Sequence, residues 1–111
     1  MLKHLREVTG LEGFQVFRML DKQHQKEAMS KLSSSLKAPV RIDFIKANTI
    51  ANKAVSNVFG HKKMIKKGDM SPNMLVKRQE ILDNTTELMA VKDKFGMNIS
   101  VSNMVYSKYA N

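Results

Sequence analysis

Residues 71–111 read SPNMLVKRQEILDNTTELMAVKDKFGMNISVSNMVYSKYAN. Apolar pairs fall at Met74/Leu75, Ile81/Leu82 and Leu88/Met89, and Phe95 lies one further step on. A seven-residue repeat of this kind describes a helix that needs another helix against its stripe. Ser71 can cap it, and Pro72 suits its first position, where a missing N–H costs nothing. The spacing predicts a helix from Pro72 to Lys94.

Beyond it, Gly96 either interrupts the helix or softens it. Met97, Ile99 and Val101 alternate like a strand, but no second strand is at hand to pair with one. A continuing helix through Val101, Met104, Val105 and Lys108 is the expectation.

Upstream, HKKMIKKGD at 61–69 reads as a connector, with Gly68-Asp69 as a turn and Gly60 where a C-terminal helix glycine belongs. Residues 41–59 form an amphipathic helix, with Phe44, Ala47, Ala51, Ala54, Val55 and Val58 on one face. Its small residues allow close helix approach. Residues 11–37 also read as a helix, from Phe14, Phe17, Leu20, Ala28, Met29, Leu32 and Leu36. Its centre, DKQHQKE from Asp21 to Glu27, is wholly polar, so it is only weakly amphipathic there. Ser33-Ser34-Ser35 and Pro39 place a hinge at 33–40, and Pro39 biases Ala38 away from helix.

The expected fold is all-α: three to four helices ending in a long C-terminal amphipathic helix or helical hairpin. Residues 1–40 would be an N-terminal helical segment and 41–111 a helical assembly domain. Composition agrees. At 111 residues the chain suits one domain, and two Pro and five Gly argue against a turn-rich β protein. Nine Met supply adaptable filler for the core. With no Cys, disulfides, thiolate zinc sites and Cys nucleophiles are excluded.

No segment reaches the roughly 18 apolar residues of a membrane span. The start, MLKHLREVTGLEG, has charges where a signal peptide has its apolar core. Export, if it occurs, would use another route. The net charge is +9, unevenly spread. Residues 41–70 hold seven basic and two acidic groups, a local +5, against +3 for 1–40 and +1 for 71–111. Such an excess suits nucleic acid, anionic lipid or an acidic protein surface, and equally a solvated face.

Signals for chemistry are sparse. His4, His24 and His61 stand at no metal-ligating spacing, and no carboxylate cluster accompanies them. Asp83 and Glu87 share a helix face at i, i+4, where solvation explains them as well as acid–base work does. No G-x-S-x-G, phosphate-cradling glycine loop or G-x-G-x-x-G occurs. The expectation is a non-enzymatic protein without cofactor or metal. The compact cluster of His61, Lys62, Lys63, Lys66 and Lys67 can grip phosphates through counterion release. It holds no Arg to read guanine and no interleaved aromatic to stack a base, so it offers affinity without sequence reading. A helix-turn-helix over 41–94 is disfavoured by its long basic connector.

The pattern of Ser71, Pro72, Asn73, Leu75, Gln79 and Leu82 resembles the C-terminal segment of type III secretion inner-rod proteins, relatives of the needle subunits. The resemblance lies in the C-terminal region, Ser71–Val101. It implies a small helical subunit that polymerises through its C-terminal helices. Such a subunit is exported by its own machine into a cell-envelope assembly, joining export gate to needle. Met74, Leu75, Gln79, Ile81, Leu82, Leu88, Met89 and Phe95 would then carry subunit packing, with Gln79 fixing register by hydrogen bonding. The N-terminal part would stay flexible until assembly. The basic middle of the chain and the MNISV run depart from that family's pattern.

Two functions follow as expectations. One is a structural subunit that assembles with itself and with other components. The other is a small basic nucleic-acid-binding or DNA-contacting virion protein, cytoplasmic or in the particle, of phage or plasmid type.

Overall fold

The computed structural model describes residues 10–110. Four α-helices make the fold: α1 (Gly10–Ser35), α2 (Arg41–Val58), α3 (Pro72–Phe95) and α4 (Val101–Lys108), with a 3-10 turn at Lys67–Asp69. The protein is all-α, with no strand among the described residues. The charged start of the chain, residues 1–9 with His4, lies outside those residues.

Helix α3 is the organising element, packing against each of the other three. Its partners' directions follow from which residues meet. Arg18 reaches the Met70 carbonyl, His24 meets Asp83, and the Lys37 backbone N–H donates to Asp93, so α1 runs parallel to α3. Asn52 meets Arg78, while Asp43 and Lys46 lie beside Met89 and Lys92, so α2 runs antiparallel to α3. Tyr109 reaches back to Glu80, so α4 also opposes α3.

The core is built from Leu32 of α1, Ala47, Ile50, Ala51, Ala54 and Val55 of α2, Leu75, Ile81 and Leu82 of α3, and Val101 and Val105 of α4. The small residues of α2 are fully buried, consistent with the close approach expected of them. Leu32 and Ala28 place α1 in the same core as the other helices.

The helix ends follow local chemistry. Ser71 Oγ accepts from the Met74 N–H at 3.3 Å with Pro72 at the first position. Asp43 accepts from the Val40 N–H at 3.0 Å, starting α2 directly after Pro39. Gly60 ends α2 at φ +80°, with its own N–H on the Asn57 carbonyl and the His61 N–H on Ser56 O.

Two expectations are corrected. The break expected at 33–40 is narrower: α1 continues through Ser35, and the Ser34 and Ser35 hydroxyls bond back to the Ser30 and Lys31 carbonyls one turn earlier instead of ending the helix. And Gly96 stops α3 outright. Its φ of +60° lets the Met97 N–H reach the Lys92 carbonyl, closing the helix end. Residues 97–100 are neither helix nor strand, and α4 begins afresh at Val101, capped by Ser100 Oγ on the Asn103 N–H.

The stripe of α3 is also less apolar than its pairs suggest. Arg78, Thr85 and Thr86 are buried along it. Arg78 is only 2% exposed. Its Nε donates to Asn52 Oδ1 at 2.6 Å, and its two terminal nitrogens donate to Gln25 Oε1 at 2.9 Å and Asn48 Oδ1 at 2.8 Å. Gln25 also donates to Asn48 Oδ1 at 2.7 Å. A buried cation is therefore held by three neutral amide oxygens from two other helices. Burial pushes the Arg78 guanidinium below its ordinary value, and the Asp21 carboxylate offsets part of that. Buried Asp21 itself accepts from Gln79 at 2.9 Å and pairs with Lys67 at 3.1 Å.

Candidate functional site

The residues expected to join subunits divide sharply. Met74, Leu75, Ile81, Leu82 and Met89 are buried in the chain's own core, and Leu88 is partly buried against it. Gln79 does hydrogen-bond, but to Asp21 of the same chain. Phe95 stands apart at 66% exposed, one residue before the Gly96 stop. In this conformation the stripe closes the monomer.

The basic cluster is displayed instead. His61, Lys62, Lys63 and Lys66 are all exposed on the connector between α2 and α3. The connector is pinned at its base. Ser56 Oγ accepts from the Ile65 N–H at 2.8 Å, and its own hydroxyl is oriented by donating to the Asn52 carbonyl at 2.7 Å. Met70 is fully buried. Arg18 donates to the Gly68 and Met70 carbonyls at 3.0 and 3.1 Å. Lys67 differs from its neighbours in the cluster: its ammonium is tied to buried Asp21 and serves as an anchor.

Three further cations face solvent on α2: Arg41, Lys46 and Lys53, the last lying over the Tyr106 ring at 5.1 Å. Among the described residues, none of Arg41, Lys46, Lys53, Lys62, Lys63 and Lys66 makes an ion pair. Of the two acids in this stretch, Asp43 is committed to the start of α2. The sequence showed the charge excess of 41–70. It did not show that, among the described residues, Lys67 alone of its lysines pairs with an acid, because Asp21 lies far away in the chain.

Arg78 went unsingled in the sequence, although signals for it exist. It sits in register with Met74, Leu82 and Met89 on α3. Asn48 and Asn52 stand at i, i+4 on α2, and Gln25 belongs to the polar centre of α1. The polar run that weakens the α1 stripe is thus the partner of the polar group in the α3 stripe.

No group of His, Cys, Asp or Glu that could hold a metal occurs among the described residues. No described helix is long and apolar enough to cross a membrane. Comparison of the chain with family models, with curated proteins and with solved structures found no match in any of the three.

Proposed function

We propose that this is a non-enzymatic protein that holds nucleic acid by its phosphates, through the exposed basic surface of α2 and the 61–66 loop. The observation that carries this reading is the set of six exposed cations between Arg41 and Lys66 that make no ion pair among the described residues, three of them on a loop anchored at its base. Unpaired, hydrated ammonium groups release no internal partner on binding, while the phosphate backbone releases condensed counterions. Lysine point charges on a loop without Arg or aromatic side chains favour backbone contact over base reading.

The test is fluorescence anisotropy of a short labelled duplex across salt concentrations. If all six cations meet phosphates, log K falls against log salt with a slope of about −5. Duplexes of unrelated sequence bind alike. Lys62→Glu, Lys63→Glu and Lys66→Glu together abolish binding at moderate salt. A flat salt response overturns the reading.

A second reading, the assembling subunit, is favoured by one observation: a groove between α1 and α3 is lined by Glu27, Asp83 and Glu87 on a chain of strong positive charge. Its rod-like form would use the Met74–Met89 stripe between subunits. That requires α3 to exchange its own α1 and α2 for helices of a neighbour, since those side chains are packed inside the monomer.

A further inference from the structure

A groove of about 500 Å³ runs between α1 and α3. Its apolar lining is Ala28, Leu32, Ala90 and Val91, of which Ala28 and Leu32 are buried and Val91 is exposed. Its rim carries three carboxylates, Glu27, Asp83 and Glu87, against one ammonium, Lys31. Asp83 is engaged by His24 Nε2 at 3.0 Å. Glu27 accepts only from neutral Gln23, at 3.0 Å, and neither Glu27 nor Glu87 makes an ion pair among the described residues. On a chain of net charge +9, this is a negative recess.

The 61–66 loop has the opposite pattern. Lys62, Lys63 and Lys66 flank Met64, an apolar side chain left 45% exposed between them. Met64 matches an apolar lining, being unbranched and adaptable, and the lysines match a carboxylate rim. The loop cannot swing freely to the groove of its own chain. Ser56 holds Ile65, Asp21 holds Lys67, and Arg18 holds the backbone at Gly68 and Met70.

We infer that the groove between α1 and α3 receives the 61–66 loop of a second copy of this chain, so that self-association and nucleic-acid binding compete for the same lysines. Reciprocal exchange of loops closes a two-fold dimer, and a one-way contact propagates a chain. Either way, phosphate and carboxylate rim are alternative counter-surfaces for one loop. Nucleic acid then dissolves the association. The competition rests on the nucleic-acid reading; the docking of loop in groove does not.

The experiment is light scattering on the full chain at low and high salt, with and without a short DNA duplex, run beside the anisotropy titration. The wild type associates at low salt and dissociates when salt or duplex is added. The double variant Glu27→Gln, Glu87→Gln stays monomeric at all salt concentrations, yet binds the duplex at least as tightly as the wild type. The triple variant Lys62→Ser, Lys63→Ser, Lys66→Ser no longer associates, and its duplex binding weakens with about half the wild-type salt slope. Replacing Met64 by Ser weakens association and spares duplex binding. All of these positions are exposed, and unchanged circular dichroism and thermal unfolding show that the variants remain folded. If the glutamine variant associates as the wild type does, or the wild type is monomeric at low salt, the docking is overturned. If the wild type associates but binds no duplex, the nucleic-acid reading and the competition fall and the docking stands.

Discussion

Two sets of cations in this chain meet opposite fates. Arg78 is buried at the junction of α1, α2 and α3, with three of its N–H groups on amide oxygens. Lys62, Lys63 and Lys66 stand in water with no ion pair among the described residues. The residue types suit the places. A guanidinium is planar, weakly hydrated and presents donors in a fixed fork, so it can be buried if its donors are met. An ammonium is strongly hydrated and costly to bury. Lys67 shows the intermediate case, kept near the surface with a buried carboxylate for partner. A cation inside specifies which helices meet, and at which level. A cation outside leaves its charge available to a partner.

The comparison can be broken hardest from the inside. Leu82 is fully buried on α3 beside the Arg78 layer. Leu82→Asp places a charge there without a partner, and destabilisation of more than about 4 kcal/mol is expected, seen as loss of the folded state in circular dichroism. That substitution therefore reports on the monomer's core before it reports on any assembly. Next comes Arg78→Ala, which leaves the oxygens of Gln25, Asn48 and Asn52 unsatisfied and opens a cavity. A loss of about 3 kcal/mol in urea unfolding is expected. Arg78→Lys restores the charge but cannot span three carbonyls, so it recovers only part of the loss.

A smaller effect is expected at Tyr109. Its hydroxyl donates to Glu80 at 2.9 Å and accepts from Asn84. Tyr109→Phe should cost about 1 kcal/mol. Burial, then the bond to Glu80, raises the phenol above its ordinary value. The contribution is therefore present below about pH 10 and lost as pH rises through the folded value. Glu80 works in the other direction. Its bonds from Lys77 and then Tyr109 lower its carboxyl. Its contribution holds above the ordinary carboxylate range and fades as pH falls through the lowered value, and its solvent exposure keeps it small. Thermal unfolding of wild type and Tyr109→Phe across pH checks both signs.

The smallest stability effect belongs to the loop. Lys62→Glu, Lys63→Glu and Lys66→Glu should each shift unfolding by less than about 0.5 kcal/mol. Each should nevertheless reduce the salt slope of duplex binding by about one. A large loss of stability from these changes would erase the contrast with Arg78.

Much of the helical order was legible in local sequence. Ser71-Pro72 marks the start of α3, Pro39 the break before α2, and Gly60 the end of α2, because each acts on backbone within a few residues. Gly96 was ambiguous: a glycine is tolerated inside a helix or ends it, and only its left-handed backbone and the Met97 bond to Lys92 decided. The candidate surface was half legible. The lysine cluster and the +5 of 41–70 are plain in composition. Which lysine is spent on an internal acid is not, since Asp21 and Lys67 meet only after folding.

By itself, then, the sequence determined that this protein is helical, roughly where its helices begin and end, and that its positive charge gathers in its middle. Period, caps and composition act over one or two turns of chain. The tertiary structure alone decided that the apolar stripe of α3 is met by α1 and α2 of the same chain. It also decided that Arg78 is inside while Lys62, Lys63 and Lys66 are outside. The physical reason is that an apolar stripe asks only for an apolar partner and does not say whose. Which helices meet is set by which can bring Asn48, Asn52 and Gln25 to the guanidinium at the same time, and the folded chain supplies all three from its own α1 and α2.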